Sequence, residues 1–166
     1  CLTEREAGSD ASSIKTRAQK VGSEYVINGS KCFISNGGIA SLYVVFANSN
    51  PEKGARGISA FIVPRETPGI TIGKVEDKMG HRASNTVELF FDDVKISQEN
   101  LLAKEGIGFI IAMKTLDKTR APVGAAGVGV ARAALEYAIE YAKTRLQFGK
   151  PIALFQHISF KIAQMA

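Results

Sequence analysis

Up to about residue 96, apolar positions gather in short runs rich in β-branched and aromatic side chains, at 14–21, 24–27, 31–34, 42–47, 58–63, 70–74 and 86–91. Such runs read as strands. Turn signals separate them: Asn28-Gly29, both tolerant of positive φ, predicts a hairpin turn, and Pro51-Glu52-Lys53-Gly54, Pro64 and Pro68-Gly69 punctuate the rest. No helix long enough to cross between parallel strands intervenes. The strands are therefore expected to pair antiparallel and to form a sandwich or barrel.

From about residue 108 the apolar period lengthens from two to nearly four. Phe109, Ala112, Met113 and Leu116, then Leu135, Ala138, Ile139 and Ala142, fall on recurring faces. This predicts a long helix, interrupted or kinked near Pro122, whose ring nitrogen has no hydrogen to give the carbonyl four residues back. Gly149-Lys150-Pro151 is the expected stop, and another helix begins near Leu154. The fold class is α+β: an antiparallel β sandwich or barrel domain over 1–103, then long helices of a helical bundle domain over 104–166. Lys104-Glu105-Gly106 interrupts both patterns at the boundary. The sequence opens at Cys1 and stops at Ala166 inside a helical pattern, which reads as a fragment.

Composition narrows the classes. The charge is +5, from 21 basic and 16 acidic residues, but the cations are scattered singly among acids with no basic block interleaved with aromatics, which argues against a nucleic-acid partner. A modest positive excess also suits a site for phosphates. No apolar run approaches the ~20 residues needed to span a bilayer. Cys1 and Cys32 are not spaced as metal ligands, and no metal is expected. His81 and His157 lack a neighbouring carboxylate or serine and read as structural. Gly124, Gly127 and Gly129 follow no strand and sit in a helical run, so they read as close helix packing and not as a nucleotide loop.

Five motifs occur in order: Cys1-Leu2-Thr3-Glu4-Arg5-Glu6-Ala7-Gly8-Ser9-Asp10, Lys31-Cys32-Phe33-Ile34-Ser35-Asn36-Gly37, Met79-Gly80-His81-Arg82, Leu116-Asp117-Lys118-Thr119-Arg120 and Arg145-Leu146-Gln147-Phe148-Gly149-Lys150. Together they resemble the acyl-CoA dehydrogenases, nearest to the medium- and short-chain members, over essentially the whole chain. The resemblance implies FAD as cofactor. It puts Leu2 and Thr3 at the pyrimidine edge of the flavin, and Phe33, Ile34 and Ser35 on the ring, with the Ser35 hydroxyl toward N5. Phe33 and Ser35 depart from the family's commoner Trp and Thr; stacking and the hydroxyl survive. Ser9 falls where the family contacts coenzyme A, with Asp10 capping the turn. Asp117 and Arg120, three apart on one helix face, correspond to coenzyme A contacts, although a bare pair at that spacing is a surface ion pair. Arg145, Gln147, Phe148, Phe155 and Gln156 correspond to residues that reach the FAD of a neighbouring subunit, which implies a homodimer or homotetramer.

The implied reaction is FAD-dependent α,β-dehydrogenation of an acyl-CoA thioester to the trans-2-enoyl-CoA, with electrons passed to an electron-transfer flavoprotein, in the bacterial cytoplasm or the mitochondrial matrix. An acyl-CoA oxidase-like flavoprotein is the rival enzyme, and a non-catalytic dimerisation or binding fragment of the same fold is the rival of another class. Removing the α proton needs a carboxylate. Some family members carry a Glu in the long helix just before the Arg of Leu-Asp-x-x-Arg, where this chain has Thr119; the commoner place lies downstream. No catalytic residue is therefore expected within the chain, and the general-base Glu is expected beyond Ala166.

Overall fold

Hydrogen-bonding of the apolar runs yields a single curled sheet. In the computed structural model, which describes residues 1–166, β1 (Arg17–Val21), β2 (Glu24–Ser35), β3 (Leu42–Asn48), β4 (Ile58–Pro64), β5 (Ile70–Val75) and β6 (Thr86–Ser97) pair in the order β4-β3-β1-β2-β6-β5. All neighbours are antiparallel except β1 and β3, which meet in parallel at Arg17 opposite Asn48. The sheet is thus mixed: β1 spends one edge on its hairpin with β2, and β3 takes the other edge running the same way. In a flat sheet β2 and β4 would lie about 14 Å apart. The Tyr25 ring on β2 and the Phe61 ring on β4 instead stand 4.9 Å apart between centroids, so the sheet rolls over its own core. Ile27, Val45, Phe61, Val63 and Leu89 fill that core with no exposed surface.

Asn28-Gly29 does not make a turn. The β1–β2 hairpin closes at residues 22 and 23, with Val21 opposite Glu24, and Asn28-Gly29 lies inside β2. The pair reads as a turn in sequence but serves two other ends. A Cβ on Gly29 would sit 2.7 Å from the Thr16 backbone, so glycine is required by close approach. Asn28 clamps a bulge in β6: its side chain accepts the Asp93 N–H at 2.8 Å and donates to the Asp93 carboxylate at 3.0 Å, while Asp93 adopts φ 48°.

The chain divides into two compact units, Cys1–Lys114 and Thr115–Ala166. Helix α1 (Gly108–Thr144) begins in the first, where Phe109, Ala112 and Met113 pack with Ile14, Phe46 and Ile58 in a second apolar cluster. The helix runs through Pro122 without interruption; one missing N–H is tolerated in a helix of 37 residues. It also ends at Thr144, ahead of the expected stop. Residues 146–151 form a small hairpin, β7 (Leu146–Gln147) with β8 (Lys150–Pro151), before α2 (Gln156–Met165). Added Cβ atoms on Gly124, Gly127 and Gly129 would meet nothing within 4 Å, so the expected close helix packing is not made within these residues. No helix is long and apolar enough to cross a membrane.

Candidate functional site

The opening segment is sewn onto the sheet by its backbone. The Phe46 N–H donates to the Cys1 carbonyl at 3.1 Å and the Cys32 N–H to the Thr3 carbonyl at 3.0 Å, so Leu2-Thr3 lies against β2 just before its end. Glu4 and Ala7 then exchange two backbone hydrogen bonds and turn the chain away. Leu2 and Thr3, from one motif, and Phe33 to Ser35, from another, are thereby brought together.

A bulge shapes the second of these. The register of β2 on β6 slips between Lys31 and Ile34, Phe33 takes φ 56°, and its ring stands 63% exposed. Positive φ is uncommon for a bulky residue and marks a position held by its surroundings. Cys32 and Ile34 on either side are buried, and the Ile34 side chain joins the β core. Ser35 is exposed beyond it. Phe33 and Ser35 are thus exposed on this stretch, and the half-buried Thr3 lies on the neighbouring segment that Cys32 holds.

Beneath that face lies a charged pair missed in sequence. The Lys31 side chain is 0% exposed and that of Glu4 9%. The ammonium donates to Glu4 Oε1 at 2.8 Å and to the Leu2 carbonyl at 3.0 Å; the carboxylate also accepts the N–H groups of Lys15 at 2.6 Å and Thr16 at 3.0 Å. Burial works to raise the Glu4 pKa, but Lys31, Thr16 and Lys15 outweigh it and hold the carboxyl below its ordinary value. Burial pulls the Lys31 ammonium down, with Glu4 opposing. Two signals were available, an acid inside the first motif and a lysine opening the second, yet nothing in the spacing said they would meet. Alongside, Arg5 holds Glu88 at 2.7 and 3.2 Å. Burial first, and then the Glu88 charge, push the Cys32 thiol up, so it stays protonated and inert.

Ser9 is exposed in the following turn. Asp10 organises that turn by accepting the Ser12 hydroxyl at 2.6 Å and the Ser13 hydroxyl. The expected cap thus works mainly through hydroxyls.

In the second unit, Asp117 and Arg120 form an exposed ion pair at 2.8 Å on α1, and the Thr119 hydroxyl donates back to the Leu116 carbonyl at 3.2 Å. Further on, the Arg145 carbonyl accepts the Ile152 N–H at 2.9 Å, closing the base of the hairpin. Its tip is Phe148-Gly149, with φ 51° and 75°; positive φ at both central residues is the two-residue turn that matches strand twist. Phe148 is 92% exposed, edge-on to Phe155 at 6.0 Å, and the Lys150 ammonium sits 4.6 Å over the Phe155 ring. Gln156 opens α2. Arg145, Gln147, Phe148, Phe155 and Gln156 are thus gathered in one hairpin-and-helix element.

Comparison with known proteins gives one consistent answer. Residues 1–94 match the family model described as acyl-CoA dehydrogenase, middle domain, and residues 106–166 the one described as acyl-CoA dehydrogenase, C-terminal domain. The chain is 54% identical to the acyl-CoA dehydrogenase of Bacillus subtilis (strain 168) over 99% of its own length and 44% of that protein's. It is 55% identical to butyryl-CoA dehydrogenase from Megasphaera elsdenii, whose structure superposes with a TM-score of 0.95 over 99% of this chain and 43% of that one. A chain from the structure of the electron transferring flavoprotein of Acidaminococcus fermentans, solved toward a mechanism of flavin-based electron bifurcation, is 50% identical with a TM-score of 0.94 over 98% of this chain and 43% of that one. The chain therefore spans less than half the length of these relatives.

Proposed function

The chain belongs to the acyl-CoA dehydrogenase family, and from that premise we propose that it supplies the flavin-edge and acyl-CoA-binding parts of an enzyme that oxidises an acyl-CoA thioester to its trans-2-enoyl-CoA. The family is one of FAD-dependent oxidoreductases. The observation that carries the reading is the exposed Phe33 ring on its bulge, with Ser35 on the same stretch and Thr3 on the neighbouring segment. An aromatic face with polar hydroxyls at its border fits a planar heterocycle with a hydrogen-bonding edge.

When bound, FAD accepts the two electrons and the β hydrogen of the substrate. The residues of this chain bind and orient. Phe33 offers a stacking face, and Leu2 and the Ile34 backbone border it. The Thr3 and Ser35 hydroxyls donate where negative charge develops, and fixed donors at such a point favour reaction. Ser9, Asp117 and Arg120 hold the coenzyme A portion, Arg120 through its planar fork of donors. Arg145, Gln147, Phe148, Phe155 and Gln156 hold the distal part of a neighbouring subunit's FAD in a homodimer or homotetramer. Electrons leave to an electron-transfer flavoprotein. The proton is taken by a carboxylate supplied from beyond residue 166; Thr119 is far too weak a base to serve.

The test uses the full-length protein. It should carry FAD, oxidise acyl-CoA substrates with an electron-transfer flavoprotein as acceptor, and react slowly with oxygen. Rapid oxidation of the reduced flavin by oxygen would make it an oxidase, and a purified full-length protein without flavin absorbance would sink the enzymatic reading. Thr3→Val and Ser35→Ala should each lower turnover while leaving the fold intact.

A further inference from the structure

The geometry points to the buried Lys31–Glu4 pair as a positioning device that fixes Leu2-Thr3 relative to the Phe33–Ser35 bulge, so that the two halves of the flavin-contacting surface keep one spacing. This rests on the reading that those residues meet the flavin.

Three segments converge on the pair. Lys31 donates to the Leu2 carbonyl and to Glu4, and Glu4 accepts the backbone of Lys15 and Thr16 on the approach to β1. Lys31 also stands at the edge of the register slip that throws Phe33 outward. The carbonyls of Leu2 and Thr3 are thus held by consecutive residues of β2, one by the Lys31 side chain and the other by the Cys32 N–H. In a trans peptide the carbonyl and the following N–H point in opposite directions. Fixing the Leu2 carbonyl on the buried ammonium therefore turns the Thr3 N–H away from the core, and fixing the Thr3 carbonyl on β2 sends the Glu4 N–H to Ala7, as observed at 3.1 Å. The orientation of the Thr3 peptide is set by a side chain that never reaches the surface.

Stability alone is a poor reason for the pair. Burying two charges costs desolvation that their attraction and hydrogen bonds only offset, and apolar replacements of similar size are often as stable or more so. An apolar pair could fill the space but could not hold a carbonyl and two N–H groups.

Lys31→Met, Glu4→Gln and the double variant, with Thr3→Val as a direct probe of the flavin edge, are made in the full-length holoenzyme. FAD dissociation, the absorbance and reduction potential of the flavin that stays bound, and thermal stability are measured. Each single variant should weaken FAD about tenfold or more, the range expected for a lost charge-assisted hydrogen bond, and should shift the spectrum and potential of bound flavin. The double variant should regain thermal stability without regaining the spectrum. Should Lys31→Met fail to fold, the near-isosteric Glu4→Gln decides. A lower melting temperature in Glu4→Gln with wild-type spectrum, potential and FAD affinity would make the pair a structural support only and overturn the proposal. Thr3→Val leaving all flavin properties unchanged would overturn the flavin-edge reading itself; Thr3→Val perturbing them while Glu4→Gln does not would overturn the positioning role alone.

Discussion

Cys1–Lys114 encloses a core in which Ile27, Val45, Phe61, Val87 and Leu89 have no exposed surface, whereas in Thr115–Ala166 Val123, Val128 and Val130 stand 69–72% exposed along α1. What differs between the two stretches is closure. A rolled sheet closes its inner face on itself. A single long helix cannot, and one that is apolar on several sides is the surface of an element built to be covered. The helical unit thus leaves apolar surface uncovered, while the β unit encloses a core of its own. The first carries the exposed Phe33 ring on its sheet, and the second an exposed ion pair and a hairpin.

Denaturant unfolding of the 166-residue chain would break or sustain this contrast most directly. Phe61→Ala should cost about 3–5 kcal/mol, as for a fully buried aromatic, while Val128→Ala should stay within about 0.5 kcal/mol, as for an exposed position. A loss at Val128 approaching that at Phe61 would show α1 already covered. Next in size, Arg145→Ala in the full-length enzyme should weaken FAD by about 1.5–3 kcal/mol, the worth of a charge-assisted hydrogen bond, and loosen the oligomer with it. Gel filtration and the flavin absorbance ratio report both, and no change in either removes the hairpin from the cofactor site.

The charged groups of the two units should also diverge with pH. The folded pKa of Glu4 lies below its ordinary value of 4.5, so its stabilising effect is fully present above that value and is lost as pH falls through the lower folded one. Glu4→Gln should flatten the acid limb of a stability profile. The Asp117–Arg120 pair of the second unit is exposed on both sides and should add little to stability. The smallest expected change in stability comes from Arg120→Ala, a few tenths of a kcal/mol for an exposed pair three apart on a helix. In the full-length enzyme the same variant should raise KM for acyl-CoA far more than for an acyl-pantetheine lacking the nucleotide; equal losses would place Arg120 elsewhere.

Sequence pattern carried the strands and the long helix well, because burial on one face leaves a period that can be read directly. It failed where one residue type serves two ends. Asn28-Gly29 has the chemistry of a turn, but close approach of Thr16 and a bulge at Asp93 used it inside a strand. Phe148-Gly149 lacks the usual turn composition and makes the hairpin that was missed. Pro122 was expected to interrupt or kink α1, and the helix is not interrupted there. Resemblance nominated Phe33 as a ring contact, yet its positive φ follows from a register slip against β6, a non-local event. The Lys31–Glu4 pair was illegible for the same reason: each residue is ordinary until the sheet brings them together.

The fastening of the opening segment has a kinetic consequence. Arg5 reaches Glu88 across 83 positions, and Lys31 reaches Glu4 across 27. The Arg5–Glu88 bond joins the segment to β6 and closes the longer loop, so its entropy cost is expected to fall late, after the sheet has nucleated. The segment should dock after the folding transition state. Glu4→Gln and Arg5→Met are therefore expected to speed unfolding while leaving the refolding rate nearly unchanged, the signature of contacts with φ-values close to zero. The Leu2-Thr3 edge would then be the last piece of the β unit to assemble and the first to release, able to open and reclose while the rolled sheet beneath it stays folded.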